Sequence, residues 1–176
     1  IQILWPGNRA VHVRVALGGA NFEAGMGRPY IEQLPFVDYV STGEADVSFP
    51  LLCERLRDGS IEELGVPGGF FHRVDGEVRE APRGPGTSPR SLDALPVPEY
   101  GDYFRVAGAT FAGERRVTWL PIEASRGCWW GEIAHCTFCG LNGESMAFRA
   151  KSAARVLAEA DTLSSRHGAH PLQFAD

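Results

Sequence analysis

The chain has 176 residues, of which 44% are hydrophobic and 22% charged, with a formal net charge of -5. That apolar share supplies a core, so disorder is not the default, and the length allows one whole domain or parts of two. No run of Lys or Arg offsets the acidic balance, which leaves no electrostatic footprint for nucleic acid or an anionic membrane, and no apolar run nears the ~20 residues that span a bilayer.

The chain opens on Ile1-Gln2-Ile3-Leu4-Trp5-Pro6, without the charged region and long apolar run of a signal peptide. Val11–Leu17, rich in Val, predicts one buried strand that ends at the turn signal Gly18-Gly19-Ala20-Asn21-Phe22. A short helix is expected over about 25–34, closed by Pro35, and Phe36–Glu44 predicts a second strand that runs into a polar, Gly-containing loop. Asp46 reads as the N-cap of a helix to about Arg57, with Leu52 and Leu56 on one face, Gly59 as its stop and Cys53 as a buried small hydrophobe. Strand–helix–strand–helix alternation points to a parallel α/β sheet. Ligands on such sheets bind beyond the carboxyl ends of the strands, where Gly18, Gly19 and Ser41-Thr42-Gly43-Glu44 lie.

Residues 66–98 change character. Gly68-Gly69 and Pro82, Gly84, Pro85, Gly86, Pro89, Pro96 and Pro98 predict a connector with a small hairpin around Val74-Asp75-Gly76-Glu77-Val78. Val117–Ala124 then reads as a strand, and Ser152 as the cap of a helix to about Arg166. Val156, Leu157, Ala160 and Leu163 form its expected buried face, Arg155 and Glu159 an i,i+4 pair, and Gly168 its stop. Leu172–Asp176 begins another strand. The expected division is residues 1–66, a linker over 67–116, and a single βαβ step over 117–176, which cannot be stable alone. With Ile1 where an initiator Met would stand and Asp176 directly after an apolar run, both ends read as cut, so the sequence is expected to be an internal piece of a longer protein.

The chemistry lies in Cys128, Cys136 and Cys139, spaced C-x7-C-x2-C. Thiolates so clustered are soft ligands for zinc or for an iron–sulfur cluster. Structural zinc and electron-transfer clusters usually take four protein ligands, and three thiolates leave a metal position open for chemistry. A zinc site that adds His135 is the alternative, although side chains of adjacent residues such as His135 and Cys136 diverge on an extended backbone. An electron carrier would need a fourth ligand, and Cys53 is the only spare cysteine. Four cysteines without an export signal suggest no disulfide framework, so the cytoplasm is the expected compartment. There are no internal repeats, no GxxxxGK[ST] loop and no HExxH.

A cysteine loop after a strand, followed by a helix and a second strand, resembles the opening of the radical S-adenosylmethionine (SAM) fold. There three Cys hold a [4Fe–4S] cluster whose remaining iron takes SAM. The seven-residue first gap departs from the common C-x3-C-x2-C. Together with Ser125–Gly131 and His135–Gly143, it resembles the subgroup that matures ribosomally made peptides and carries an N-terminal cobalamin-binding domain. Gly18-Gly19 resembles the Gly-Gly element of that Rossmann-like domain, Val40–Glu44 the next strand end, and Leu92–Phe104 the linker into the barrel. The DxHxxG loop of the cobalamin domain is not in the chain.

The resemblance implies the C-terminal part of a cobalamin-binding domain, a linker, and the first βαβ unit of a partial TIM-type barrel. It implies metal ligation by Cys128, Cys136 and Cys139, and cofactor contacts at Gly18, Gly19, Ser41, Gly43, Asn142 and Gly143. It further implies a [4Fe–4S] cluster, SAM and cobalamin as cofactors, a precursor peptide as substrate, and a flavodoxin or ferredoxin as electron donor; the charge pattern adds the expectation of no nucleic acid or membrane partner. The expected reaction is reductive cleavage of SAM leading to C-methylation of a peptide residue. Trp129 and Trp130 either shield the cluster, contact substrate or pack at the barrel mouth, and Arg126 either faces the anionic cluster, binds a carboxylate or forms a salt bridge.

Overall fold

Tyr39 and Val40 point to opposite faces of one short strand, and each finds its own apolar layer. The computed structural model describes residues 2–5, 9–111, 118–139 and 147–175. They divide into two units, Ile1–Arg90 with Thr137–Ser145, and Ser91–Cys136 with Met146–Asp176.

In the first unit β1 (Gln2–Trp5) and β2 (Arg9–His12) form an antiparallel ribbon. A separate four-stranded sheet has the order β3-β4-β5-β6, from β3 (Ala16–Leu17), β4 (Tyr39–Ser41), β5 (Phe70–Val74) and β6 (Glu77–Ala81). β3 and β4 are parallel, as alternation with helices predicts; β5 and β6 are antiparallel, so the sheet is mixed. Val40 and Phe71 pack with Ile31 of α1 (Arg28–Gln33) on one face. Tyr39 and Phe70 pack with Leu52 of α2 (Ser48–Asp58) on the other, where Ile61 of α3 (Ile61–Leu64) joins them.

Several expectations need correction here. The strand expected over Val11–Leu17 is broken: Val11 and His12 belong to the ribbon, and only Ala16 and Leu17 join the sheet. The Asp38 carboxylate causes the break by accepting the Val15 N–H at 2.8 Å in place of a ladder partner. Asp46 does not cap α2. The Phe49 N–H already reaches the Ala45 carbonyl at 2.9 Å, so the helical turn winds up before Asp46 can cap it. Cys53 is exposed, because the buried stripe of α2 runs through Ser48 and Leu52 and Cys53 lies off it.

The hairpin expected in the connector exists, but it is sheet rather than linker. Phe70 and Phe71 are 0% and 3% exposed, and Asp75-Gly76, with φ of 51° and 84°, form the two-residue turn that matches strand twist. Arg73 on β5 donates to the carbonyls of Ile31 and Leu34 and so closes the end of α1.

In the second unit β7 (Leu120–Glu123) and β10 (Leu172–Ala175) pair in parallel, with α5 (Ala153–His167) between them in sequence. This is the expected βαβ step. Leu120, Ile122 and Leu163 are its buried centre, and Val97, Tyr100, Phe104, Val156 and Leu172 surround them. Ser152 caps α5 as expected, accepting the Arg155 N–H at 3.1 Å. Leu157 is 66% exposed, because the buried stripe is Val156, Glu159, Ala160 and Leu163 and Leu157 stands beside it.

A helix that was not expected, α4 (Gly101–Thr110), begins where the Glu99 carboxylate accepts the Gly101 N–H at 2.8 Å. Leu92, within the expected 67–116 linker, is 1% exposed. The fold class is mixed α/β. Among the described residues no helix is long and apolar enough to cross a membrane.

Candidate functional site

The cysteine segment leaves β7 through a two-residue strand, β8 (Ser125–Arg126), and Gly127, whose φ is 82°. From Cys128 the chain coils: Glu132 N–H donates to the Cys128 carbonyl at 3.0 Å, and Ala134 N–H to the Trp130 carbonyl at 2.8 Å. This coil turns the Gly131 N–H onto Cys128 Sγ at 3.3 Å. Cys128, Cys136 and Cys139 are all half-buried, and His135 is exposed. Trp129 and Trp130 meet edge to face at 5.8 Å and remain 60% and 48% exposed.

Arg126 forks onto the Glu123 carboxylate, with Nη2 to Oε2 at 3.0 Å, so a salt bridge with β7 occupies much of its guanidinium. Asn142 and Gly143 lie outside the described residues.

Where the loop returns, β9 (Arg149–Ala150) pairs with β8, Ser125 opposite Ala150 and Arg126 opposite Arg149. The Glu132 carboxylate accepts the Phe148 N–H at 2.8 Å, and Lys151 N–H reaches the Ala124 carbonyl at 2.8 Å. Beneath this closure lies a buried ion pair: Lys151 Nζ is 2.8 Å from Glu159 Oε1 and 2.9 Å from Oε2, and Arg155 Nε is 3.0 Å from Oε1. Arg155 also donates to the Leu95 carbonyl. Asp93 accepts the Ser152 N–H at 2.8 Å, a bond that holds its carboxyl below the usual carboxylate range.

The sequence reading paired Arg155 with Glu159 but missed Lys151. A signal was present, because Val156, Glu159, Ala160 and Leu163 share one helical stripe, and a glutamate on an apolar stripe needs a buried cation.

At the carboxyl ends of β3 and β4 in the first unit is a cleft of about 380 Å³, lined by Leu17, Gly18, Ser41, Asp46, Phe49 and Phe70 among others. Gly18 and Ser41 thus face one space. A Cβ on Gly18 would stand 3.5 Å from Ser41 Cβ, an ordinary contact. Ser41 Oγ donates to the Gly43 carbonyl at 2.9 Å. A Cβ on Gly43 would meet the Arg83 guanidinium, the far end of a flexible side chain that can swing aside. Gly19 adopts φ 95° beside open space.

Three cysteine thiols in one loop, one with an N–H aimed at its sulfur, match in chemistry the donors that iron–sulfur clusters take. Among the described residues no three His, Cys, Asp or Glu side chains are gathered as metal ligands, so the match is one of donor type. No protein-family model matches the sequence, and neither does any curated protein.

Proposed function

We propose that this chain is part of a cobalamin-dependent radical SAM enzyme that modifies a ribosomally made peptide, with C-methylation as the reaction. The observation that carries the reading is the position of the C-x7-C-x2-C loop, inserted after the first strand of a parallel βαβ step. Ligands of parallel α/β folds sit beyond the carboxyl ends of strands, and β7 delivers the cysteines from such an end. On this reading the first unit is the end of a Rossmann-like cobalamin domain and the second the start of a partial barrel.

Cys128, Cys136 and Cys139 hold the [4Fe–4S] cluster as thiolates, and the Gly131 N–H on Cys128 stabilises that charge. Held by these thiolates and with SAM bound, the cluster would supply the chemistry of one-electron reductive SAM cleavage. Trp129 and Trp130 directly follow Cys128 and offer an exposed aromatic surface at the loop, against which SAM or substrate can pack. Asn142 and Gly143 complete the SAM contacts. In the first unit Gly18, Gly19, Ser41 and Gly43 face cobalamin, and small residues there suit a broad flat ligand. The precursor peptide is the substrate, and a flavodoxin or ferredoxin in the cytoplasm supplies the electron.

The test is anaerobic reconstitution with iron and sulfide, read by metal count and by EPR before and after SAM. The expected outcome is about four irons per chain, lost on replacing any of the three cysteines and kept in Cys53→Ala, with a spectrum that SAM changes. Tightly bound zinc, or a cluster indifferent to SAM, ends the reading. Cobalamin is tested separately by visible absorbance: Gly18→Leu fills the cleft and should abolish binding.

A further inference from the structure

Strands β8 and β9 are two residues each, and among the described residues they are all the strand pairing that joins the two ends of the cysteine loop. So short a bridge fixes its register weakly. A slip of one residue would turn every side chain of β9 to the opposite face and carry the returning end of the loop with it. The next residue supplies what the bridge lacks.

Lys151 holds Ala124 through its backbone N–H, while its side chain, 2% exposed, meets Glu159, which is 0% exposed. A slip in either direction puts Ala150 or Ser152 where Lys151 stands. Glu159 would then be buried with Arg155 as its remaining cation, at 25% exposure. No residue of β8 or β9 is fully buried, so their own side chains resist a slip weakly, whereas a buried carboxylate that loses its buried cation is heavily penalised. The pair therefore tolerates one register.

We infer that Glu159 is a positioning residue: through Lys151 it sets the register of β9 on β8, and so fixes where the cysteine loop enters and leaves the second unit. Arg155 holds Glu159 from the helix side and ties it to Leu95. The inference goes beyond the cluster reading and does not depend on it, since its readouts need no metal.

The test uses the metal-free chain under reducing conditions. Amide exchange is measured at Lys151 and Phe148, and alkylation is measured at Cys128, with the exposed Cys53 of the first unit as internal reference. In Glu159→Gln, exchange at Lys151 and alkylation of Cys128 should rise roughly tenfold, as local opening becomes easier, while Cys53 and the β4 and β5 amides keep their rates. The double variant Lys151→Met, Glu159→Leu removes both charges and should keep the helical signal of α5 with the same loosened bridge.

Wild-type protection of Lys151 and Cys128 in a folded variant of either kind overturns the inference. So does loss of α5 and the β7–β10 pairing in the double variant, which would make the pair part of the core and nothing more. An unfolded single variant beside a folded, loosened double variant supports it. Failure of cluster assembly leaves the inference standing, and its own failure leaves the cluster reading untouched.

Discussion

Both units bury strands beneath helices, but they lock them differently. In the first, aromatic and branched side chains on alternate faces of β4 and β5 define the register: Tyr39 and Phe70 go to α2, Val40 and Phe71 to α1. In the second, the apolar centre is three fully buried residues, and a buried Lys–Glu pair lies alongside it. Shape fixes a long ladder well, because every neighbouring pair reports a slip. A two-residue bridge offers too few pairs for that, and a charge that accepts only one partner can do the same job from a single position.

The comparison breaks first at its two anchors. Phe70→Ala should cost the first unit roughly 3–5 kcal/mol, and Glu159→Leu with Lys151 retained should cost the second a similar amount. Residue-resolved hydrogen exchange tells them apart: each loss should appear in its own unit, and a uniform loss across both would show that the two locks are one. Removing the Ser152 cap by Ser152→Ala should cost about 1 kcal/mol in urea unfolding, with exchange faster in the first turn of α5.

A smaller effect separates the units by pH. His72 lies opposite Tyr39 and Arg79 in the ladder, and burial pushes its pKa below the ordinary 6.5, helped by the Arg79 charge. The unfolded chain then binds more protons at this site, so its contribution to stability is complete above about pH 6.5 and falls as the pH drops below that value. His72→Gln should flatten this slope in the first unit and leave the second unchanged. The smallest effect expected is that of Arg14→Ala: its pair with Asp38 joins a side chain 60% exposed, and at most about 1 kcal/mol should be lost in thermal unfolding.

What the sequence made legible follows the strength of local signals. Ser152, the 156/160/163 spacing and Gly168 announced α5 correctly, and Asp75-Gly76 announced the hairpin turn. The hairpin's place in the sheet was hidden, because proline and glycine on both sides gave it the composition of a linker while Phe70 and Phe71 alone carried the evidence of burial. α4 was hidden as well: Gly101 and Gly108 lower its helix propensity, and packing of Phe104 on the β7–β10 core offsets that.

At the candidate site the three cysteines and the strand that delivers them were readable from spacing. The base of the loop was not. Lys151 and Glu159 meet through a return of the chain that no local pattern encodes, and Ala124 and Lys151 are bound by backbone groups, which are the same in every residue.

The exposed indoles have an optical consequence. Trp119, Trp129 and Trp130 are 59%, 60% and 48% exposed, so three of the four tryptophans already emit from a largely aqueous setting in the folded state. Denaturation should therefore shift their emission wavelength little. Two of these indoles directly follow Cys128, and an iron centre in that loop would quench them strongly, so the light from this protein measures the state of its cysteine loop far better than the integrity of its cores.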